Sequence, residues 1–162
     1  MFSNELMDAA EKLVEELRQR KLMVATAESC TGGLLAGLLT TVPGTSDIFE
    51  RGFVTYSNDA KMEMIAVPEV ILNEQGAVSR ECAEAMAQGA LANSRADLAI
   101  SITGIAGPTG ATAAKPLGLV HFALAGRDGL LQHRQDRFPG DRTAIRLASV
   151  AVAVELLQAG LP

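Results

Sequence analysis

Tryptophan is absent from the 162 residues, tyrosine occurs once, and aromatics make up only 4% of the chain. A core built from such a sequence must rest on Leu, Val, Ile, Ala and Met. Cysteine is as scarce: Cys30 and Cys82 stand alone, in no CxxC or CxH spacing, so no disulfide framework is expected and a reducing cytoplasm is the natural setting. There are two histidines and no HxxxH, HExxH or clustered Asp/His spacing, which leaves metal chemistry without a ligand set. Positive charge is outnumbered, 14 Lys and Arg against 19 Asp and Glu for a net charge of −5, which argues against a nucleic-acid partner. No apolar run reaches the roughly 18 residues that span a bilayer. The opening SNELMDAAEKL lacks the basic-then-apolar order of a signal peptide. A soluble, cytoplasmic protein with no membrane partner is expected.

What is present is a globular composition, 48% hydrophobic and 20% charged, in a length that suits one domain over residues 1–162. No internal repeat and no linker interrupts it. Leu6, Met7, Ala10, Leu13, Val14 and Leu17 recur at helical spacing within 4–20. LMVATA (22–27) reads as a buried strand, 33–40 as a buried helix, and FERGFVTYSN (49–58) as a second strand ending at Asn58. Short helices follow over 59–66 and 68–73. Ser79 caps a helix over 80–93, DLAISITG (97–104) is a strand, and 118–126 with 131–139 form a hairpin around Arg127-Asp128-Gly129. Gly140-Asp141 then caps a C-terminal helix. Strands alternating with helices predict an α/β fold, a three-layer α/β/α arrangement with a mixed sheet.

Ligands of open α/β sheets gather beyond the carboxyl ends of the strands. Three such ends carry unusual chemistry: ESCTGG (28–33), TYSNDAK (55–61) and TGIAGPTG (103–110). Each also has a plain reading as a tight chain reversal. In the first, Ser29 and Cys30 both qualify as nucleophiles, and a following helix start would offer N–H groups to an anion or oxyanion. The flanking Ala27 and Thr31 rule out a GxSxG elbow, and no Gly-Lys-Ser/Thr marks a phosphate loop. A buried, small apolar role competes for Cys30.

A serine needs a base. His121 and His133 fall inside the hairpin, away from the glycine-rich turns. Lys61, five residues after Tyr56, is the better placed. It must be desolvated to act as a base, since moving a lysine pKa from about 10.4 to about 7 takes roughly 4–5 kcal/mol. The alternative is a solvated helix residue. Tyr56 suits a proton relay or an oxyanion donor.

TAESCTGGLLAGLLTTVPGTSDIFERGFVTYSNDAK, GAVSRECAEAMAQGA, DLAISITGIAGPTG, KPLGLV and FPGDRTAIR follow one another in a way that resembles the CinA C-terminal domain family, over residues 4 to 158. Within it the chain is similar to the stand-alone nicotinamide-nucleotide amidohydrolases. That resemblance implies hydrolysis of nicotinamide mononucleotide to nicotinate mononucleotide and ammonia, without a cofactor. It implies Ser29 as nucleophile, with Lys61, Tyr56 and Thr103 as its catalytic partners. Backbone N–H groups near Thr31, Gly32 and Gly33 are expected to hold the oxyanion, and Gly104 to let the backbone approach the substrate. Arg142, in the first turn of a helix, is the candidate phosphate anchor, with a plain surface charge as the alternative. The family's usual Pro-Glu pair before KP is replaced by TAAK (112–115), which detaches any role of that loop's charge. Some members carry a larger N-terminal domain, and none is expected here. Rival readings are a non-catalytic nucleotide-binding module and a DNA-associated competence factor. A homo-oligomer built through an apolar helix face is expected.

Overall fold

The structure, a computed structural model, describes residues 1–162. A five-stranded sheet in the order β2-β1-β3-β4-β5 forms its centre. Its strands are β1 (Val24–Glu28), β2 (Phe49–Val54), β3 (Leu98–Gly104), β4 (Leu119–Gly126) and β5 (Leu131–Arg137). The first three are parallel and the last two antiparallel, so the sheet is mixed, as expected. Six helices flank it: α1 (Asn4–Arg20), α2 (Leu34–Leu39), α3 (Asn58–Ile65), α4 (Glu69–Glu74), α5 (Arg80–Ala92) and α6 (Arg142–Ala159).

Helix starts follow the capping chemistry of the sequence. Ser3, Ser57, Ser79 and Asp141 each accept the N–H three residues on, in α1, α3, α5 and α6, which satisfies one otherwise orphaned donor. Ser57 also corrects an expectation. FERGFVTYSN does not stay extended to Asn58: the strand ends at Val54, and α3 begins at Asn58 because Ser57 accepts from Ala60 N–H at 3.0 Å. Likewise β1 starts two residues later than LMVATA and ends one later, at Glu28.

The two faces of the sheet are packed differently. One carries Val24, Ile100, Ile102, Val120, Phe122 and Leu124 against α1, α2 and α6. The other is lined by Ala25, Ala27, Ala99, Ala123 and Ala125, and α5 brings Ala83, Ala87 and Ala90 onto it. Small residues on both sides let helix and sheet backbones approach closely. Gly89 of α5 extends this to α3, because a Cβ there would stand 1.9 Å from the Ile65 carbonyl oxygen. The helix that carries Lys61 is thus pressed directly against α5. With β1, β2 and β3 parallel, their carboxyl ends share one edge of the sheet. The chain leaves β1 for β2 on one side and returns to β3 on the other, so the strand order reverses there, where ligands of such sheets bind.

Candidate active site

At that edge the chain brings together two of the residues singled out by sequence. Lys61 is 1% exposed, and its Nζ lies 3.0 Å from Ser29 Oγ. The same nitrogen donates to the backbone carbonyls of Thr55 at 2.8 Å and Tyr56 at 3.2 Å. No carboxylate lies within ion-pair distance of it. Burial therefore pulls the Lys61 ammonium below its ordinary value of 10.5, against a smaller opposing influence of Cys82 and Cys30. A neutral amine has two N–H bonds and one lone pair. With Lys61 in that form, the two carbonyls can take its N–H bonds and leave the lone pair for the Ser29 hydroxyl. That is the geometry of a base poised on an alcohol.

Cys30 is the weaker nucleophile. Burial pushes its thiol up to about 11, so it holds its proton at neutral pH and lacks the thiolate that would react. Tyr56 reaches the site by its backbone: the carbonyl meets Lys61, while the exposed phenol accepts a 3.1 Å bond from Arg142 Nη2. Arg142 also donates to Gly107 O at 2.8 Å. It therefore ties the start of α6 to both the loop after β2 and the glycine loop after β3. A cleft of about 290 Å³ opens between these elements, and Ser29, Tyr56, Gly104, Gly107, Thr109 and Arg142 line it. A depression of about 420 Å³ beside Gln88, Leu91 and Arg127 is larger, but no nucleophile or titrating base borders it.

Thr103 is placed differently from its expected partners. Its hydroxyl donates to Ala77 O at 2.7 Å, fastening β3 to the turn before α5, and it does not line the cleft. Gly104 does line it, and its lack of a side chain has a packing cause as well, since a Cβ would come within 2.7 Å of the Leu119 carbonyl oxygen. Of the N–H groups expected to serve an oxyanion, Gly32 is already spent, donating to Ser29 O at 3.0 Å. Those of Thr31 and Gly33 have no acceptor within the protein, but neither residue lines the cleft and Thr31 is fully buried. Gly32 and Gly33 adopt φ of 58° and 96°, the left-handed region where a side chain is strained.

Two residues of the site escaped the sequence reading. Glu28, 1% exposed, turns its carboxylate onto α2 and accepts from Leu35 N–H at 2.9 Å and Ala36 N–H at 3.0 Å. It caps the helix from the strand that precedes the turn. Arg146, one helical turn past Arg142 in α6, donates to the carbonyls of Cys30 and Thr31 at 3.1 and 2.9 Å. An acid before a helix start and an i, i+4 arginine pair in FPGDRTAIR were the available signals.

The chain is thus a mixed α/β/α sandwich with a buried lysine facing a serine at the switch point of its sheet. The chain belongs to the CinA C-terminal domain family, which it matches over residues 6–161. It is 48% identical to the nicotinamide-nucleotide amidohydrolase PncC of Escherichia coli K12, over 97% of this chain and 95% of that one. A putative competence-damage inducible protein of Caldicellulosiruptor bescii is 49% identical over 91% of this chain. The chain spans 36% of the length of that relative and of its counterpart from Caldicellulosiruptor saccharolyticus. Among solved structures, the competence/damage inducible protein CihA from Agrobacterium tumefaciens superposes with a TM-score of 0.96 at 49% identity, covering 98% of this chain and 97% of its own.

Proposed function

We propose that this protein is a nicotinamide-nucleotide amidohydrolase, converting nicotinamide mononucleotide and water to nicotinate mononucleotide and ammonia. The observation that carries the reading is the 3.0 Å approach of Lys61 Nζ to Ser29 Oγ in a buried site free of carboxylate partners. The substrate comes from the amidohydrolase relative, which matches this chain nearly end to end. Neutral Lys61 takes the Ser29 proton as Oγ bonds to the carboxamide carbon, and the carbonyl oxygen becomes an oxyanion. Backbone N–H groups of the turn after Ser29, that of Gly33 among them, are the donors for that charge, each worth about 3 kcal/mol. The intermediate collapses with cleavage of the C–N bond, and Lys61 returns its proton so that ammonia leaves. Water then attacks the acyl-enzyme, Lys61 accepts the water proton, and Ser29 Oγ recovers it as the acid is released.

The positively charged pyridinium of the substrate disfavours an ammonium nearby and so reinforces the neutral state of Lys61. Arg142, at the cleft and in the first turn of α6, is the phosphate anchor in this reading, and Tyr56, bonded to it, steadies that guanidinium. The test is to incubate the protein with nicotinamide mononucleotide in EDTA and follow ammonia. Release that EDTA leaves unchanged is expected. Binding of the mononucleotide without ammonia release would replace the enzyme with a nucleotide-binding module.

A further inference from the structure

The backbone N–H groups between the nucleophile and α2 are mostly spent within the protein. Ser29 N–H donates to Ile102 O at 2.9 Å, and Thr55 N–H donates to Glu28 O at 2.9 Å, so both parallel ladders run on to the nucleophile. Gly32 N–H closes the turn on Ser29 O at 3.0 Å, and Leu34 N–H donates to Thr31 O at 3.2 Å. Leu35 and Ala36 N–H groups go to the buried Glu28 carboxylate. The helix start expected to serve an anion is thus filled by the protein's own. Three N–H groups are left without an acceptor, those of Cys30, Thr31 and Gly33.

These three differ in what they border. Thr31 is fully buried and away from the cleft, and Gly33 sits against Val54 at the end of β2, also away from it. Cys30 lines the cleft beside Ser29. Its N–H belongs to the trans peptide that joins it to Ser29, and therefore points opposite to the Ser29 carbonyl. That carbonyl is turned into the loop by its bond from Gly32 N–H, which directs the Cys30 N–H out of the loop. Gly32 makes the closure possible by adopting φ of 58°, where a side chain would be strained.

We propose that the backbone N–H of Cys30 is the principal oxyanion donor, held in place by the Gly32 closure, and that the thiol takes no part. A donor on the residue after the nucleophile is the arrangement that strand-to-helix turns of other serine hydrolases use. The assignment rests on the serine-amidase reading, so the test begins with a reagent that needs no substrate. With an alkyl fluorophosphonate, Ser29 Oγ bonds to phosphorus, fluoride leaves and Lys61 takes the hydroxyl proton; the phosphoryl oxygen then demands the oxyanion's donors. Nonsense suppression with α-hydroxy acids turns one amide into an ester and removes a single N–H. Lactate replaces Cys30 and is compared with Cys30→Ala; glycolate replaces Gly32 or Gly33 and is compared with wild type. The ester at Cys30 is expected to slow phosphonylation, and kcat for nicotinamide mononucleotide, by about a hundredfold. KM should stay within about twofold, because the ground state does not load the donor. The ester at Gly32 only loosens the closure and should slow both by about tenfold; the ester at Gly33 should cost less than that at Cys30.

A second measurement needs no ester. Cys30 and Cys82 are the only cysteines, so labelling cysteine nitrogen gives two amide signals in a proton–nitrogen correlation spectrum, and Cys30→Ala assigns them. Phosphonylation of Ser29 should move the Cys30 amide proton downfield by about 1 ppm or more as it bonds the phosphoryl oxygen. The Cys82 amide, bonded to Ser79 Oγ at 3.1 Å in α5, should hardly move. An ester at Cys30 that reacts within about threefold of its amide reference overturns the assignment. So does a loss as large at Gly32, which would make the effect one of closure, or a larger one at Gly33. A Cys30 signal that stays in place on phosphonylation overturns it as well, and this shift decides if the ester protein does not fold. A wild type that is phosphonylated at Ser29 but frees no ammonia from the mononucleotide removes the substrate reading only, and rates and shift still judge Cys30. A wild type inert to the reagent removes the nucleophile and its donor together.

Discussion

Two buried basic side chains, Lys61 and His121, stand in this molecule, and they differ in what each faces. Lys61 lies 3.0 Å from Ser29 Oγ at the parallel edge of the sheet. In the antiparallel hairpin, His121 Nδ1 lies 3.0 Å from His133 Nε2, with the rings stacked at 5.3 Å between centroids. Burial lowers the proton affinity of both, and for His121 it does so to about 4. A depressed pKa is thus common to a candidate site and to a strand-to-strand contact. What separates them is the partner: the lysine addresses a hydroxyl beside a cleft, whereas each imidazole addresses the other and neither lines that cleft. Perturbed titration marks burial, and only the geometry around it marks chemistry.

The sharpest way to break that contrast is to remove its functional half. Ser29→Ala and Lys61→Met are each expected to lower kcat by about 10⁴ or more while circular dichroism stays native. Ammonia release near the wild-type rate in either variant would end the serine–lysine assignment. The pH dependence is a subtler probe of the same pair. In the proposed mechanism the base form of Lys61 is the active one, and its pKa in the fold lies below 10.5 because burial opposes the charge. Activity should therefore rise with pH as Lys61 loses its proton, and level off before the ordinary lysine range. A kcat/KM profile that falls over about pH 6 to about 9 would contradict a lysine base.

Gly89→Ala tests how the lysine is held. Alanine favours a helix by about 1 kcal/mol over glycine, yet a Cβ there meets the Ile65 carbonyl of α3 at 1.9 Å. Backbone must move, at a net cost of about 1–3 kcal/mol, and the helix that moves carries Lys61. A fall in kcat of about tenfold or more should accompany the lowered unfolding midpoint. Full activity with unchanged stability would mean that α3 is not positioned by this contact.

The contrast also explains what was legible in the sequence. Residue types made Ser29 and Lys61 candidates and the family resemblance selected them, but their pairing spans 32 positions. It exists only because β1 and β2 are parallel neighbours whose ends share an edge. The alternation of strands and helices sufficed for the layers and the mixed sheet. It misjudged the end of β2, because Thr55 and Tyr56 resemble strand residues while Ser57 ends the strand by capping α3. Glu28 and Arg146 went unnoticed because their partners are backbone atoms, two N–H groups and two carbonyls, which leave no side-chain pattern. Thr103 was singled out by its motif, and the structure turns its hydroxyl onto the Ala77 carbonyl.

The smallest expected effect on activity, and the complement of the first test, concerns His121. The imidazole is nearly buried, and Arg80, Glu81 and Glu84 of α5, Lys115 of the glycine loop and His133 of β5 make up its charged surroundings. In the unfolded chain it takes up a proton near 6.5, whereas in the fold it does so near about 4. Between those values the unfolded state binds more protons, so stability declines as pH falls below 6.5 and stops declining through this group once pH passes about 4. His121→Phe removes that titration. The variant should lose less stability than wild type between pH 7 and about pH 4.5 in denaturant unfolding, while its kcat stays within about twofold. An equal loss in both proteins would mean that the histidine pair does not govern acid sensitivity. A collapse of kcat would erase the distinction between the two pairs, because the hairpin would then belong to the site.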